Sequence, residues 1–154
     1  MSLPSGATAL LDEKYPDWRI KNVSDLVADD QTLWAKAHPK DCPGVAIGRF
    51  EESDRVAYAV VVPKAKIRDG YKVIILKESP SGGDYVARVL DKSNGEYSGS
   101  GLVISKAPPG KYPDFYGTAE AQVKLDAIFV EWIEKAAVLY YWANGTYRRI
   151  QATD

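Results

Sequence analysis

The chain has 154 residues, 45% apolar, 27% charged and 11% aromatic, the composition of a folded protein, with length for one core that buries about two-thirds of the unfolded surface. Twenty basic against twenty-one acidic residues leave a net charge of −1, which provides no long-range attraction for nucleic acid. One His and one Cys exclude an intramolecular disulfide and most metal sites built from this chain alone.

No apolar run reaches the roughly 18 residues that a membrane span needs. The start, Met1-Ser2-Leu3-Pro4-Ser5-Gly6-Ala7-Thr8-Ala9, lacks the basic and apolar regions of a signal peptide. Residues 1–12 are expected to be a flexible segment that follows a removed leader, within a single domain spanning 1–154. One helix is expected at 28–37, where Leu33, Trp34 and Ala37 share a stripe. Asp29 and Asp30 suit its first turn, Lys36 and His38 its end, and Pro39 stops it. Strands follow at 45–50, 56–62, 71–76, 85–90, 101–105, 125–132, 136–142 and 146–152, with Val56, Tyr58, Val60 and Val62 on one face. Gly82-Gly83, Asn94-Gly95 and Asn144-Gly145 mark tight turns. Residues 107–117, with three prolines and two glycines, are expected to be a surface loop, and part of 118–122 a second short helix. The spacings leave no room for crossover helices, so the fold class is mainly β, an antiparallel meander with one short N-terminal helix.

Few residues carry recognisable chemistry. His38 and Cys42 each precede a proline, Pro39 and Pro43, in a turn, an arrangement that favours structure over a nucleophile pair. Glu51, Glu52 and Asp54 form one acidic cluster and Glu131 and Glu134 another, both in expected turns and therefore solvated; a glycosidase-like enzyme would need two of them facing across a cleft. Asn144-Gly145-Thr146 fits a glycosylation site, but the turn accounts for all three residues. Lys64, Lys66, Arg68 and Lys72 form an edge-strand charge set. Trp132, Tyr140, Tyr141, Trp142 and Tyr147 offer a stacking surface only if strand alternation leaves enough of them on one face. The segment 92–101 contains no large aliphatic side chain. Its Ser93, Asn94, Gly95, Glu96, Tyr97 and Ser98 are the candidate partner-binding residues, with Tyr97 supplying contact area at low entropic cost.

Gly48-Arg49-Phe50-Glu51-Glu52-Ser53-Asp54, followed by Tyr58-Ala59-Val60-Val61, resembles a degenerate FG-GAP or VCBS-type repeat. Intact repeats bind calcium through alternate carboxylates. Arg49 stands at the first acidic position here and repels the ion, so no metal and no cofactor is expected. The run 126–150 is similar to the closing hairpin of small exported proteins that carry one such motif. In overall design the chain resembles the periplasmic immunity proteins that protect bacteria from type VI-secreted peptidoglycan amidases. That resemblance implies a non-enzymatic periplasmic protein whose partner is a secreted peptidoglycan hydrolase. It further implies that a projecting hairpin, here the one at Ser93-Asn94-Gly95, occludes the partner's Cys/His active site. An exported ligand- or glycan-binding β-module is the alternative.

Overall fold

A computed structural model of the chain describes residues 2–16, 18–63, 70–93 and 101–153. The fold is mainly β and antiparallel. Where a loose N-terminus was expected, helix α1 runs over Ser5–Lys14. Pro4 presets the entering backbone, and Ala7 and Leu11, one turn apart, are fully buried. The stripe is too small to stand out in the sequence, so tertiary burial and not amphipathicity makes this helix. It ends at Tyr15, where Pro16 forces the preceding residue toward extended backbone. A single 3-10 turn, Val23–Asp25, leads to helix α2 at Ala28–Ala37, over the expected residues. Trp34 is its buried anchor, whereas Leu33 is 37% exposed.

The strands are β1 Val45–Gly48, β2 Ala57–Pro63, β3 Tyr71–Glu78, β4 Tyr85–Ser93, β5 Leu102–Ala107, β6 Gly110–Pro113, β7 Glu120–Val123, β8 Ala127–Trp132, β9 Ala136–Ala143 and β10 Thr146–Thr153. They form a four-stranded sheet A in the order β1-β2-β3-β4, a four-stranded sheet B in the order β10-β9-β8-β5, and a ribbon of β6 and β7. Two expectations for 107–122 are corrected. The expected loop contains β6, and the expected short helix is a turn leading into β7. Ala121 and Val123 alternate inward with period two and close over Ala107, Ala127 and Leu139, which a helix could not do with the same residues. Strands β4 and β5, which precede and follow the expected hairpin at Ser93-Asn94-Gly95, do not pair with each other: β4 pairs with β3 in sheet A and β5 with β8 in sheet B, and the hairpin itself lies, beyond Ser93, outside the described residues.

The two sheets stack face to face. Ala57, Ala59, Val61, Val73 and Ile75 from sheet A meet Leu102, Ile104, Ile128, Val130 and Val138 from sheet B, with Phe50 inserted from the β1–β2 loop. The opposite face of sheet A carries Val60, Val62, Ile74 and Leu76 and is covered by Leu3, Ala7 and Leu11. Strands β2 and β3 are therefore buried on both faces, which explains their near-continuous apolar sequence. Asn144 and Gly145 have φ of 52° and 77°, the left-handed pair that closes the β9–β10 hairpin.

The sheets meet at a corner beside Gly44. Ile104 N–H donates to Pro43 O at 2.9 Å and Val61 N–H to Gly44 O at 3.0 Å. A Cβ on Gly44 would lie 2.7 Å from the N, O and Cβ of Lys21. Gly82 is the opposite case, with φ +80° and open space where a Cβ would stand, no atom lying within 4 Å. Gly44→Ala should therefore destabilise by about 2–3 kcal/mol through overpacking, and Gly82→Ala by about 1 kcal/mol through backbone strain alone. Urea unfolding of the two variants gives the comparison; equal losses would contradict the crowding at Gly44.

Candidate functional site

Of the expected partner-binding residues, Ser93 is the last residue of β4, half-buried and opposite Tyr71. Asn94, Gly95, Glu96, Tyr97 and Ser98 lie outside the described residues, as do Lys64, Lys66 and Arg68. Lys72 stands 5.3 Å from the centre of the Tyr15 ring.

The Gly48 to Asp54 loop is organised by groups far away in sequence. Phe50 goes into the core, and Arg49 N–H donates to the Asp126 carboxylate at 2.9 Å. Glu51 is not solvated as expected: its side chain is 5% exposed, accepts a 3.0 Å hydrogen bond from Tyr147 Oη and faces Lys77 Nζ at 3.8 Å. Lys77 also reaches Glu52 at 2.6 Å, and Arg55 approaches Glu52 at 3.5 Å. The Lys77 hydrogen bond holds Glu52 below the usual carboxylate range. Burial, and then the charge of Glu51, push the Tyr147 hydroxyl far above its ordinary value, so Tyr147 remains a donor. Glu51, Glu52, Lys77 and Arg55 thus form one cluster of opposite charges, closed on the Glu51 side by the Tyr147 hydroxyl.

Glu131 also departs from expectation. It is half-buried on β8 and not in a turn, and burial raises its carboxyl, with His38 acting in the opposite sense. Glu134 occupies the β8–β9 turn with φ 60°. His38 stacks on Trp34 with ring centres 4.2 Å apart, and its Nδ1 lies 3.3 Å from Asp41. Cys42 Sγ donates to Lys21 O at 3.1 Å. Each therefore has its own local structural partner, His38 on α2 and its C-terminal turn, Cys42 on the chain at Lys21.

The aromatic set divides between faces. Tyr140 fills the inter-sheet core with Trp132 and Tyr147 packed against it, while Tyr141 packs under the ribbon. Trp142 and Tyr147 are cross-strand partners that meet edge to face at 4.9 Å, with the Arg88 guanidinium 5.3 Å from the Trp142 ring centre. Among the described residues, no three His, Cys, Asp or Glu side chains gather as metal ligands, and no helix is long and apolar enough to cross a membrane. An open groove of about 380 Å³ lies beside Val56, Tyr58, Lys77, Pro80 and Tyr85.

One surface feature is absent from the sequence-based expectations. The β6–β7 turn presents Phe115 and Tyr116, 49% and 70% exposed. The signal was Asp114-Phe115-Tyr116-Gly117, two aromatics inside a turn tetrapeptide, masked by the prolines around it. No protein-family model, no curated protein and no solved structure matches the chain.

Two buried polar groups generate measurable consequences. Removing the Tyr147 hydroxyl leaves Glu51 with a lost hydrogen bond in a dry site, so Tyr147→Phe should cost about 1–3 kcal/mol in urea unfolding; an unchanged midpoint would show that the pair is idle. Lys21 is buried, donates to Leu102 O at 2.7 Å, and is lowered by desolvation from 10.5 to about 8. Between pH 8 and 10.5 the unfolded chain holds this proton more tightly than the folded one, so stability rises with pH across that window. The hydroxyl of Tyr140, pushed by burial from 10 up to about 12, acts in the opposite sense, and stability falls above pH 10. Lys21→Met should flatten the rise and keep the fall. A rise of equal slope in the variant would assign the effect elsewhere.

Proposed function

We propose that this protein acts by binding and not by turnover, as an exported inhibitor of a peptidoglycan hydrolase, in the manner of the periplasmic immunity proteins it resembles in design. The observation that carries the reading is the internal commitment of Glu51, Glu52, His38 and Cys42, to which the half-buried Glu131 on β8 is the exception. Glu51 is held by Tyr147 and Lys77, Glu52 by Lys77 and Arg55, His38 by Trp34 and Asp41, and Cys42 by the Lys21 carbonyl. Carboxylates tied to cations and hydroxyls are poor general acids and bases, because a catalytic carboxylate needs an open approach to substrate and a pKa near working pH. What the scaffold offers a partner is a fixed surface. Tight inhibition requires an interface on the order of 1,600 Å² in total, anchored by a few residues. The design resemblance assigns occlusion to Ser93 through Ser98, leaving from the end of an edge strand.

A second reading, an exported glycan-binding module, draws on the groove beside Tyr58 and Tyr85. Both readings meet in one experiment. The tagged protein is directed to the periplasm of its native host, captured, and assayed with and without its partner on purified peptidoglycan. The inhibitor reading expects a peptidoglycan hydrolase in stoichiometric amount, with muropeptide release falling to background at equimolar protein. Saturable binding of muropeptides to the protein alone, with no hydrolase captured, would replace it with the glycan reading. Release of muropeptides by the protein alone would overturn both.

A further inference from the structure

Phe115 and Tyr116 are neighbours in space as well as in sequence, their rings meeting edge to face at 5.2 Å and 80°. The other large apolar side chains exposed among the described residues, Val27, Leu33, Val56, Val86 and Val89, are aliphatic. Two adjacent exposed rings gain more from burial on a partner than scattered aliphatic groups do.

The tip is fixed before a partner arrives. The Asp114 carboxylate accepts from Thr118 N–H and from the Thr118 hydroxyl, both at 2.8 Å, and from Ala119 N–H at 3.2 Å. Asp114 N–H returns a bond to Ala119 O at 2.9 Å. Phe115 N–H donates to Gln151 O at 2.7 Å, which ties the turn to β10 and so to sheet B. Below the turn, Tyr112 donates to Pro108 O at 2.6 Å and meets Phe129 edge to face. Rings carried on such a backbone lose little entropy on docking.

The charge at the tip is negative. Asp114 and Glu120 flank the rings, and the hydrogen bond from the Thr118 hydroxyl holds the Asp114 carboxyl below its usual range. Lys111 sits further down the ribbon, opposite Gln122.

The geometry points to the 114–118 tip as the contact with the partner, Phe115 and Tyr116 entering an apolar pocket of the hydrolase whose rim carries Arg or Lys side chains. The inference rests on the inhibitor reading and supplies the anchor that two-ring exposure and acidic flanks define. It adds an anchoring contact on the β6–β7 ribbon to the occluding segment Ser93 through Ser98.

The test uses the full chain and the hydrolase obtained in the capture experiment. Phe115→Ala combined with Tyr116→Ala should weaken binding at least about 30-fold, the loss of one strong interface anchor, while the surface control Val27→Ala binds as the parent does. Glu120→Lys should slow association about tenfold at low salt. A photo-crosslinking benzoyl-phenylalanine in place of Tyr116 keeps a ring at the tip and should join the hydrolase in an apolar pocket, whatever the stability of the alanine variant. Binding within about threefold of the parent for the double alanine variant, or crosslinks absent at 116, overturns the tip assignment and leaves the inhibitor reading standing. An unchanged association rate in Glu120→Lys overturns the basic rim. Failure of the parent protein to capture any hydrolase overturns the inhibitor reading and this inference with it.

Discussion

At Gly44 the chain has no room for a side chain, because the backbone of Lys21 passes against it; a Cβ there would sit 2.7 Å from three Lys21 atoms. That close approach fastens a strap of chain to the corner where β1 and β5 bring the two sheets together. Lys21 Nζ reaches Leu102 O, Cys42 Sγ reaches Lys21 O, Ile104 N–H reaches Pro43 O, and Val61 N–H reaches Gly44 O. The strap separates the two helices. The chain before it, α1, covers the outer face of sheet A through Ala7 and Leu11; the chain after it, α2, packs Trp34 with Leu26, Val103 and Ile133. With the strap in place, sheet A is buried on both faces and the sandwich has a fixed corner. The 3-10 turn just beyond is held by Asp25, whose carboxylate takes both Arg19 nitrogens and Asn22 N–H and is lowered to about 2, chiefly by the Arg19 bonds.

The fold class was legible because its signals are local. Asn144-Gly145 needs two left-handed residues, and Ala28 through Ala37 carries its own dipole-matched ends and proline stop. The strands from 45 to 90 and from 125 to 152 followed from apolar runs bounded by turn residues. Four things were not legible, for one shared reason: each depends on a partner distant in sequence. Helix α1 forms because Ala7 and Leu11 find sheet A. The ribbon forms because Ala121 and Val123 find Leu139. Glu51 is buried because Tyr147, ninety-six residues on, donates to it. Adjacency in sequence suggested that β4 and β5 pair, whereas they belong to different sheets.

Tyr147 with Glu51, Tyr71 with Asp91, and Arg149 over Tyr140 place polar pairs around the inter-sheet core. Such pairs specify register more than they add stability, since a missing partner costs more than a complete pair contributes. A sandwich fixed at its corner and covered on its outer faces by α1 and the ribbon is a stiff platform, and the ribbon's aromatic tip inherits that stiffness through the Phe115 to Gln151 bond.

The Lys21–Gly44 corner holds the whole sandwich together. Native-state hydrogen exchange of the Ile104 and Val61 amides tests it most directly, since these two donate to the Pro43 and Gly44 carbonyls. We expect both to exchange only through global unfolding, with an opening free energy equal to that of the whole domain. Exchange through a local opening well below that value, while β9 and β10 amides stay protected, would show the corner to be peripheral and would contradict the claim.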